Sequence, residues 1–333
     1  MAPVPLPVNQ PENRMYAGGA RITALRLIPP CSSYQPEDWI ASTTCCSGSD
    51  IIGLSPLPDG TLLRDAVTSD PDHWLGAQHV AKYGPDTKLL VKLLDAGQRL
   101  PVHAHPSAAW AKKHLGVKHG KAEAWYILTP GPVWLGLEKS IADAELLQLV
   151  KAERGHEIVE RMHRIDVELH QTVYVPPGML HCIGDGVMVL ELQEPEDLSI
   201  LCEWRDFQID GRNQGHLGLG FATALTAIET SERTREEILE LITRPMDKSA
   251  ESVYVPSSKQ YFGLERCCVA GTETCRRGFA ILLVLDGEIS LSTENNAPEK
   301  LSLSTGATVV IPFADGEITL EGSGHVLIAR PPE

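Results

Sequence analysis

The chain has 333 residues, room for about two domains, and 43% of them are apolar, enough to give each a core. Its 29 lysines and arginines against 44 acids leave a net charge of −15, which disfavours general affinity for nucleic acid or an anionic membrane. An anionic ligand then needs a local basic pocket. No run approaches the ~18 apolar residues of a membrane span, and the proline-broken start Met1-Ala-Pro-Val-Pro-Leu-Pro-Val lacks the basic stretch of a secretory signal. A cytoplasmic chain with reduced thiols is expected.

Residues 1–20 are rich in proline and glycine and read as irregular, and Gly18-Gly19 leads into an alternating run, residues 20–27, that predicts a strand. Short apolar runs bounded by Gly, Pro or Asp predict strands over residues 89–94, 122–128, 172–175 and 186–191. Between them, residues 108–115 close with Gly116 as a helix, and residues 141–165 carry Leu146, Leu147, Val150, Ile158, Met162 and Ile165 at helical spacing. Residues 216–244 read as helical throughout, with a capping box Thr234-x-x-Glu237 and Pro245 as the stop. Strands return at 280–285, 288–292, 308–311 and 326–329, divided by the turns Asp286-Gly287 and Asp315-Gly316. The eight cysteines show vicinal pairs, Cys45-Cys46 and Cys267-Cys268, but no Cys-x-x-Cys, so neither a zinc knuckle nor a redox motif is indicated.

The densest chemical signal is Gly97-Gln98-Arg99-Leu100-Pro101-Val102-His103-Ala104-His105-Pro106. Residues two apart on a strand share a face, so His103 and His105 present two imidazoles to one point. Alone, such a pair also suits a surface or a core edge. Glu123 enters a strongly apolar strand, where an ionised carboxylate is costly unless it is paired or binds a metal. His181 follows Val175-Pro176-Pro177-Gly178-Met179-Leu180, in which Pro177 and Gly178 suit the centre of a type II turn.

Together these motifs resemble the two-part signature of the cupin jelly roll. The detail is similar to type I mannose-6-phosphate isomerases: Gly120-Lys121-Ala122-Glu123-Ala124-Trp125, the histidine pair running into Pro106, the stretch Pro132–Leu137, Tyr174–His181, and Glu191-Leu192-Gln193 before Asp197. The resemblance implies a mainly β fold of two cupin-type jelly-roll barrels with a helical insertion: a metal-binding domain over 1–206, the insertion over 207–250 and a degenerate barrel over 251–333. It implies one divalent metal on His103, His105, Glu123 and His181, with zinc as the family's metal. The extra nitrogen of His103, where the family usually has glutamine, admits manganese, iron or nickel. It also implies that Lys121, Glu191 and Asp197 line the substrate pocket.

A second departure concerns charge. The family carries an arginine four residues after the aspartate matched by Asp197, and Leu201 stands there. Arg205 is the candidate replacement, or else it pairs with Glu203 or Asp206. Arg99, Lys118, His119 and Lys121 lie close to the metal motifs in sequence, and with Arg205 they are the expected source of positive charge for a sugar phosphate.

The implied activity is a metal-dependent aldose–ketose isomerisation of mannose 6-phosphate and fructose 6-phosphate through an enediol(ate). Lys121, Glu191, Asp197 or a metal-bound water are candidate bases, and Arg205 would steady oxyanion charge. The alternatives are a cupin metalloprotein acting on another sugar or small polyol, and a non-catalytic metal-stabilised sugar-binding protein. Between 250 and 333 the only histidine is His325, so a structural role is expected for that domain.

Overall fold

The computed structural model describes residues 3–243, 249–250, 252–296 and 299–332. Three antiparallel sheets carry the architecture. The first has six strands in the order Ile242–Thr243, Thr172–Val175, Glu123–Thr129, Met188–Gln193, Leu90–Asp95, Glu37–Ile40. The second has five: Ile200–Leu201, His103–Ala104, His181–Ile183, Gly131–Leu137, Met162–Val167. One apolar core, with Leu94, Trp125 and Val175 from the first sheet and Ala104, Leu135 and Ile183 from the second, joins them as a barrel. The third sheet contains Thr308–Ile311, Ala280–Thr293, Ile318–Arg330 and Gly263–Cys275, with Leu301–Ser304 beside Ala280–Thr293. It surrounds a core of its own that includes Leu282, Leu291, Leu320 and Ile328. The cupin fold expected from the sequence is the fold observed.

The first sheet is buried on both faces, which explains why its strands read as unbroken apolar runs. Alternation sends Leu94, Trp125, Ile127 and Val189 into the barrel. Their neighbours Leu93, Ala124, Tyr126 and Leu190 pack outward against Phe262, Leu264, Ile281 and Leu327 of the C-terminal part. A polar residue on the inward face is therefore delivered to the barrel interior, as Glu37, Lys92, Glu123 and Glu191 are.

Several expectations need correction. Residues 20–27 are not a strand: Ala20–Leu25 is a helix. It begins where Gly19 takes a left-handed φ of 112°, and the Asp95 carboxylate accepts the Gly19 and Arg21 amides at 2.9 Å each, supplying from another strand the cap that the helix lacks. Over 141–165 the helical part ends early, as Asp143–Lys151 and Gly155–Val159 with Glu153 at φ 57° between them. Met162 and Ile165 lie on the strand Met162–Val167. The 216–244 stretch is broken into Phe221–Ala224, a 3-10 turn and Arg235–Leu239, the last with the Thr234/Glu237 capping box, and Ile242–Thr243 joins the first sheet. Pro245 lies outside the described residues. The start of the chain is not wholly irregular, because Val4–Pro5 pairs with Val309 and Val310 of the third sheet. Three helices between Leu63 and Tyr83 were not anticipated, although Asp70 capping His73 ahead of Pro71 is a recognisable start.

Candidate metal centre

His103 and His105 lie two residues apart at the strand His103–Ala104, and His181 opens the neighbouring strand as the direct register partner of His103. The proline turn aims it. Met179 N–H donates to Pro176 O at 3.2 Å, and Gly178, at φ 90°, holds the position that a type II turn reserves for a residue of positive φ. Gly178 N–H also donates to His105 O at 2.7 Å, tying the two histidine motifs together.

Each imidazole is oriented by a backbone carbonyl. The Nδ1–H groups of His103, His105 and His181 donate to Pro101 O, Leu198 O and Met179 O at 2.8, 2.6 and 2.8 Å. A carbonyl only accepts, so each Nδ1 carries the proton and each Nε2 keeps its lone pair for the centre of the cluster. One ligand atom from each histidine lies within 4.8 Å of the others, and all three rings are buried. Glu123 completes the group, with Oε2 3.0 Å from His105 Nε2 and Oε1 3.1 Å from His181 Nε2.

Electrostatics suits a cation here. Burial, reinforced by the neighbouring imidazoles, holds His103 well below the usual histidine range. Burial and then Lys121 bring His105 down to about 3. Both are neutral at ordinary pH, the form that ligates. Burial would raise the Glu123 carboxyl, but His105, His181 and Lys121 hold it well below the normal carboxylate range. Glu123 Oε2 and His181 Nε2 are buried with no hydrogen-bond partner, and the Lys121 ammonium stands 3.1 Å from His105 Nε2 and 3.5 Å from Glu123 Oε2. Unpartnered donor atoms converging where a side-chain cation already reaches in fit a divalent metal with three nitrogen ligands and one oxygen ligand.

Beyond this group the inward face of the first sheet forms a charged wall. Registry runs Trp125, Glu191, Lys92, Trp39 across four adjacent strands. Lys92 Nζ is 3.4 Å from Glu191 Oε2, 3.7 Å from Glu37 Oε2 and 4.5 Å from the centre of the Trp39 ring. Glu37 accepts hydrogen bonds from Tyr16 OH at 2.7 Å and Trp39 Nε1 at 2.8 Å, and Arg14 lies 3.4 Å from it. Burial alone would raise Glu37, yet Arg14 and Lys92 hold it at about 2. Asp197 is likewise depressed against burial by Arg14, Lys92 and Lys121, and it accepts Ser47 N–H at 2.9 Å. Glu191 moves the other way: burial, with Glu123 close by, raises it despite Lys92.

The structure thus brings His103, His105, Glu123, His181, Lys121, Glu191 and Asp197 around one chamber. It does not bring Arg99, Lys118, His119 or Arg205. Arg99 forms a two-pronged pair with Glu203 at 2.7 and 2.8 Å, outside the chamber. His119 Nε2–H donates to Asp86 Oδ2 at 2.7 Å, and His119 lines, with Lys118, a separate surface cavity. Arg205 is exposed on a turn after the strand Ile200–Leu201, and its charge acts on Glu153. The expectation that Arg99 and Arg205 serve the substrate is corrected accordingly. The chamber's positive charge comes from Arg14, Lys92 and Lys121, the first two unnoticed in the sequence. Lys92 carried the signal that singled out Glu123, a charge inside an apolar strand. Arg14 had no such signal.

A mainly β protein of this fold, with a buried three-histidine cluster beside one carboxylate in its N-terminal barrel, is a cupin whose cluster could hold a metal ion. Comparison with known proteins narrows the class. Residues 252–331 match the family described as mannose-6-phosphate isomerase, cupin domain. The chain is 29% identical over 348 residues, 96% of either chain, to the probable mannose-6-phosphate isomerase GmuF of Bacillus subtilis. It is 29% identical over 256 residues, 73% of this chain and 74% of its relative, to the mannose-6-phosphate isomerase ManA of the same organism. A solved structure described as a putative mannosephosphate isomerase from Archaeoglobus fulgidus superposes with a TM-score of 0.77 at 20% identity, covering 100% of this chain and 99% of that one. Over nearly its whole length the chain is thus similar to mannose-6-phosphate isomerases, and its C-terminal part matches their cupin domain.

Proposed function

We propose that the protein interconverts mannose 6-phosphate and fructose 6-phosphate, in the cytoplasm, with one divalent metal on His103, His105, Glu123 and His181. The observation that carries this reading is the convergence of three carbonyl-oriented imidazoles and Glu123 beside Lys121 and Glu191 in one chamber. Zinc is the proposed ion, with manganese, iron or nickel as the alternatives that this nitrogen-rich set accommodates. Eight unpaired cysteines accord with a reducing compartment, and no helix among the described residues is long and apolar enough to cross a membrane.

A divalent ion held by His103, His105, Glu123 and His181 would supply Lewis-acid polarisation that makes the C2 hydrogen of the aldose more acidic. The residues do the rest. Isomerisation takes one proton from C2 and returns one to C1 through an enediol(ate), while a hydroxyl proton passes from O2 to O1, so no oxidant or reductant is consumed. Glu191 is proposed to move the carbon-bound proton: it faces the chamber, its Oε2 has no hydrogen-bond partner, and burial raises its carboxyl above the ordinary range. Lys121, beside Glu123, is proposed to pass the proton between the two oxygens, and Asp197 with Ser47 to align the hydroxyl-bearing chain. The division into a metal-bearing domain over 1–206, an insertion over 207–250 and a metal-free barrel over 251–333 is part of the same proposal. It is supported by the three-histidine cluster being the one such group among the described residues.

The test is chelation and reconstitution. Protein stripped with a chelator should lose conversion of mannose 6-phosphate, and stoichiometric zinc, manganese, iron or nickel should restore it. Conversion that survives complete metal removal would defeat the metal-dependent reading.

A further inference from the structure

The metal chamber is small, about 40 Å³, enough for a few water molecules and well short of a hexose phosphate. Next to it lies an outer cavity of about 430 Å³. Arg14, Met15, Asp197, Ser199 and Leu201 line both spaces. A substrate with its reacting carbons among the histidines must therefore extend its far end past these residues into the outer cavity.

Charge is distributed unevenly along that path. The outer cavity is bordered by Ser47, Ser199, Asn13, Gln208 and Gln214, with Asp197 as its acid and Arg14 as its single basic residue among those described. Lys92 is held between Glu37 and Glu191, and Lys121 between His105 and Glu123, both deep in the chamber. Arg14 differs in place: it lines the chamber and the outer cavity alike. Its guanidinium meets Glu37 and Asp197 only at 3.4 and 3.5 Å and lies 5.7 Å from the centre of the Trp39 ring, while its Nε is buried with no hydrogen-bond partner. A guanidinium held from one side by two carboxylates at the boundary of a cavity has further N–H groups that can receive an anion. Leu201, the register partner of His103, leaves the opposite wall without charge.

We propose that Arg14 grips the phosphate of the substrate in the outer cavity and sets the preference for a phosphorylated sugar. This rests on the isomerase reading for its substrate class. The N-terminal segment thereby supplies what neither Leu201 nor the distant Arg205 provides, and Ser47, Ser199 and Gln208 complete the anion's contacts.

The experiment is calorimetric titration of the metal-loaded protein with fructose 6-phosphate and with inorganic phosphate, for wild type, R14A and R14K, alongside mannose 6-phosphate kinetics. R14A should weaken both ligands roughly a hundredfold, the scale for removing one partner of a buried charge pair. It should raise KM far more than it lowers kcat, and R14K should recover part of the loss. Metal content and thermal melting of each variant report whether the site and fold survive, and R14K, retaining the charge and most of the stem, guards against collapse. Equal affinity in R14A and wild type would overturn the proposal while leaving the isomerase reading intact. A fall in kcat with KM unchanged would move Arg14 to the reacting end and would also overturn it. Absence of turnover in wild type that still binds phosphate through Arg14 would remove the isomerase reading and support this one.

Discussion

His103 and His181 face each other as register partners on adjacent antiparallel strands, and each fixes its ring by donating Nδ1–H at 2.8 Å to the carbonyl two residues before it. The pair makes the metal centre a property of two strands rather than of a loop, so it is rigid before any ligand arrives. H181A should reduce bound metal from one equivalent to a small fraction, measured by elemental analysis after dialysis. H103Q should keep a metal but hold it roughly 10- to 100-fold more weakly, since an amide oxygen replaces a nitrogen.

Glu123 is the only carboxylate in contact with this cluster among the described residues, through His105 and His181. E123A should lose the metal along with activity. K121M should behave differently, retaining the metal while kcat falls by about 10² to 10⁴, the usual contribution of a proton-transferring side chain. Metal analysis and steady-state kinetics on the same samples separate the two effects.

Lys92 and Glu191 form a buried pair at 3.4 Å on neighbouring strands. Removing Lys92 takes the shared cation from two buried carboxyls, Glu191 and Glu37, so K92M should destabilise the fold by about 3 to 5 kcal/mol. K92M/E191M should recover much of that in denaturant unfolding, because neither charge of the pair then remains.

The carboxyl of Glu37 is held at about 2 in the fold, against an ordinary 4.5, by Arg14 and Lys92. The unfolded chain therefore takes up a proton that the native chain refuses, and stability present above about pH 4.5 is lost as pH falls toward 2. The contribution is on the order of 3 kcal/mol. E37Q should flatten this part of the curve, seen as a smaller drop in melting temperature between pH 5 and pH 3.

The clustered histidines and Glu123 were legible in the sequence because each sits in a local pattern: His-x-His on a strand, a carboxylate in an apolar run, and a histidine after a proline turn. Arg14 and Glu37 were not, because each is an ordinary charged residue whose role arises when separate segments meet across the barrel mouth. Arg205 misled for the converse reason: it is near Asp197 along the chain, but the turn after Leu201 carries it outward. The first helix was misread because its cap, Asp95, comes from a residue some seventy positions away, while six residues of alternation suit a strand equally well. The first sheet was easy to find and hard to orient, since burial on both faces erased the polar alternation that marks which side faces the interior.

The central proposal is that the buried histidine and carboxylate cluster isomerises a sugar phosphate. The most direct measurement is the conversion of mannose 6-phosphate to fructose 6-phosphate by metal-loaded wild type, with E123A and unphosphorylated mannose as controls. Conversion by wild type that falls to background in E123A and is at least a hundredfold weaker with mannose is the expected result. No conversion above the E123A level, or equal rates with both sugars, would contradict the account.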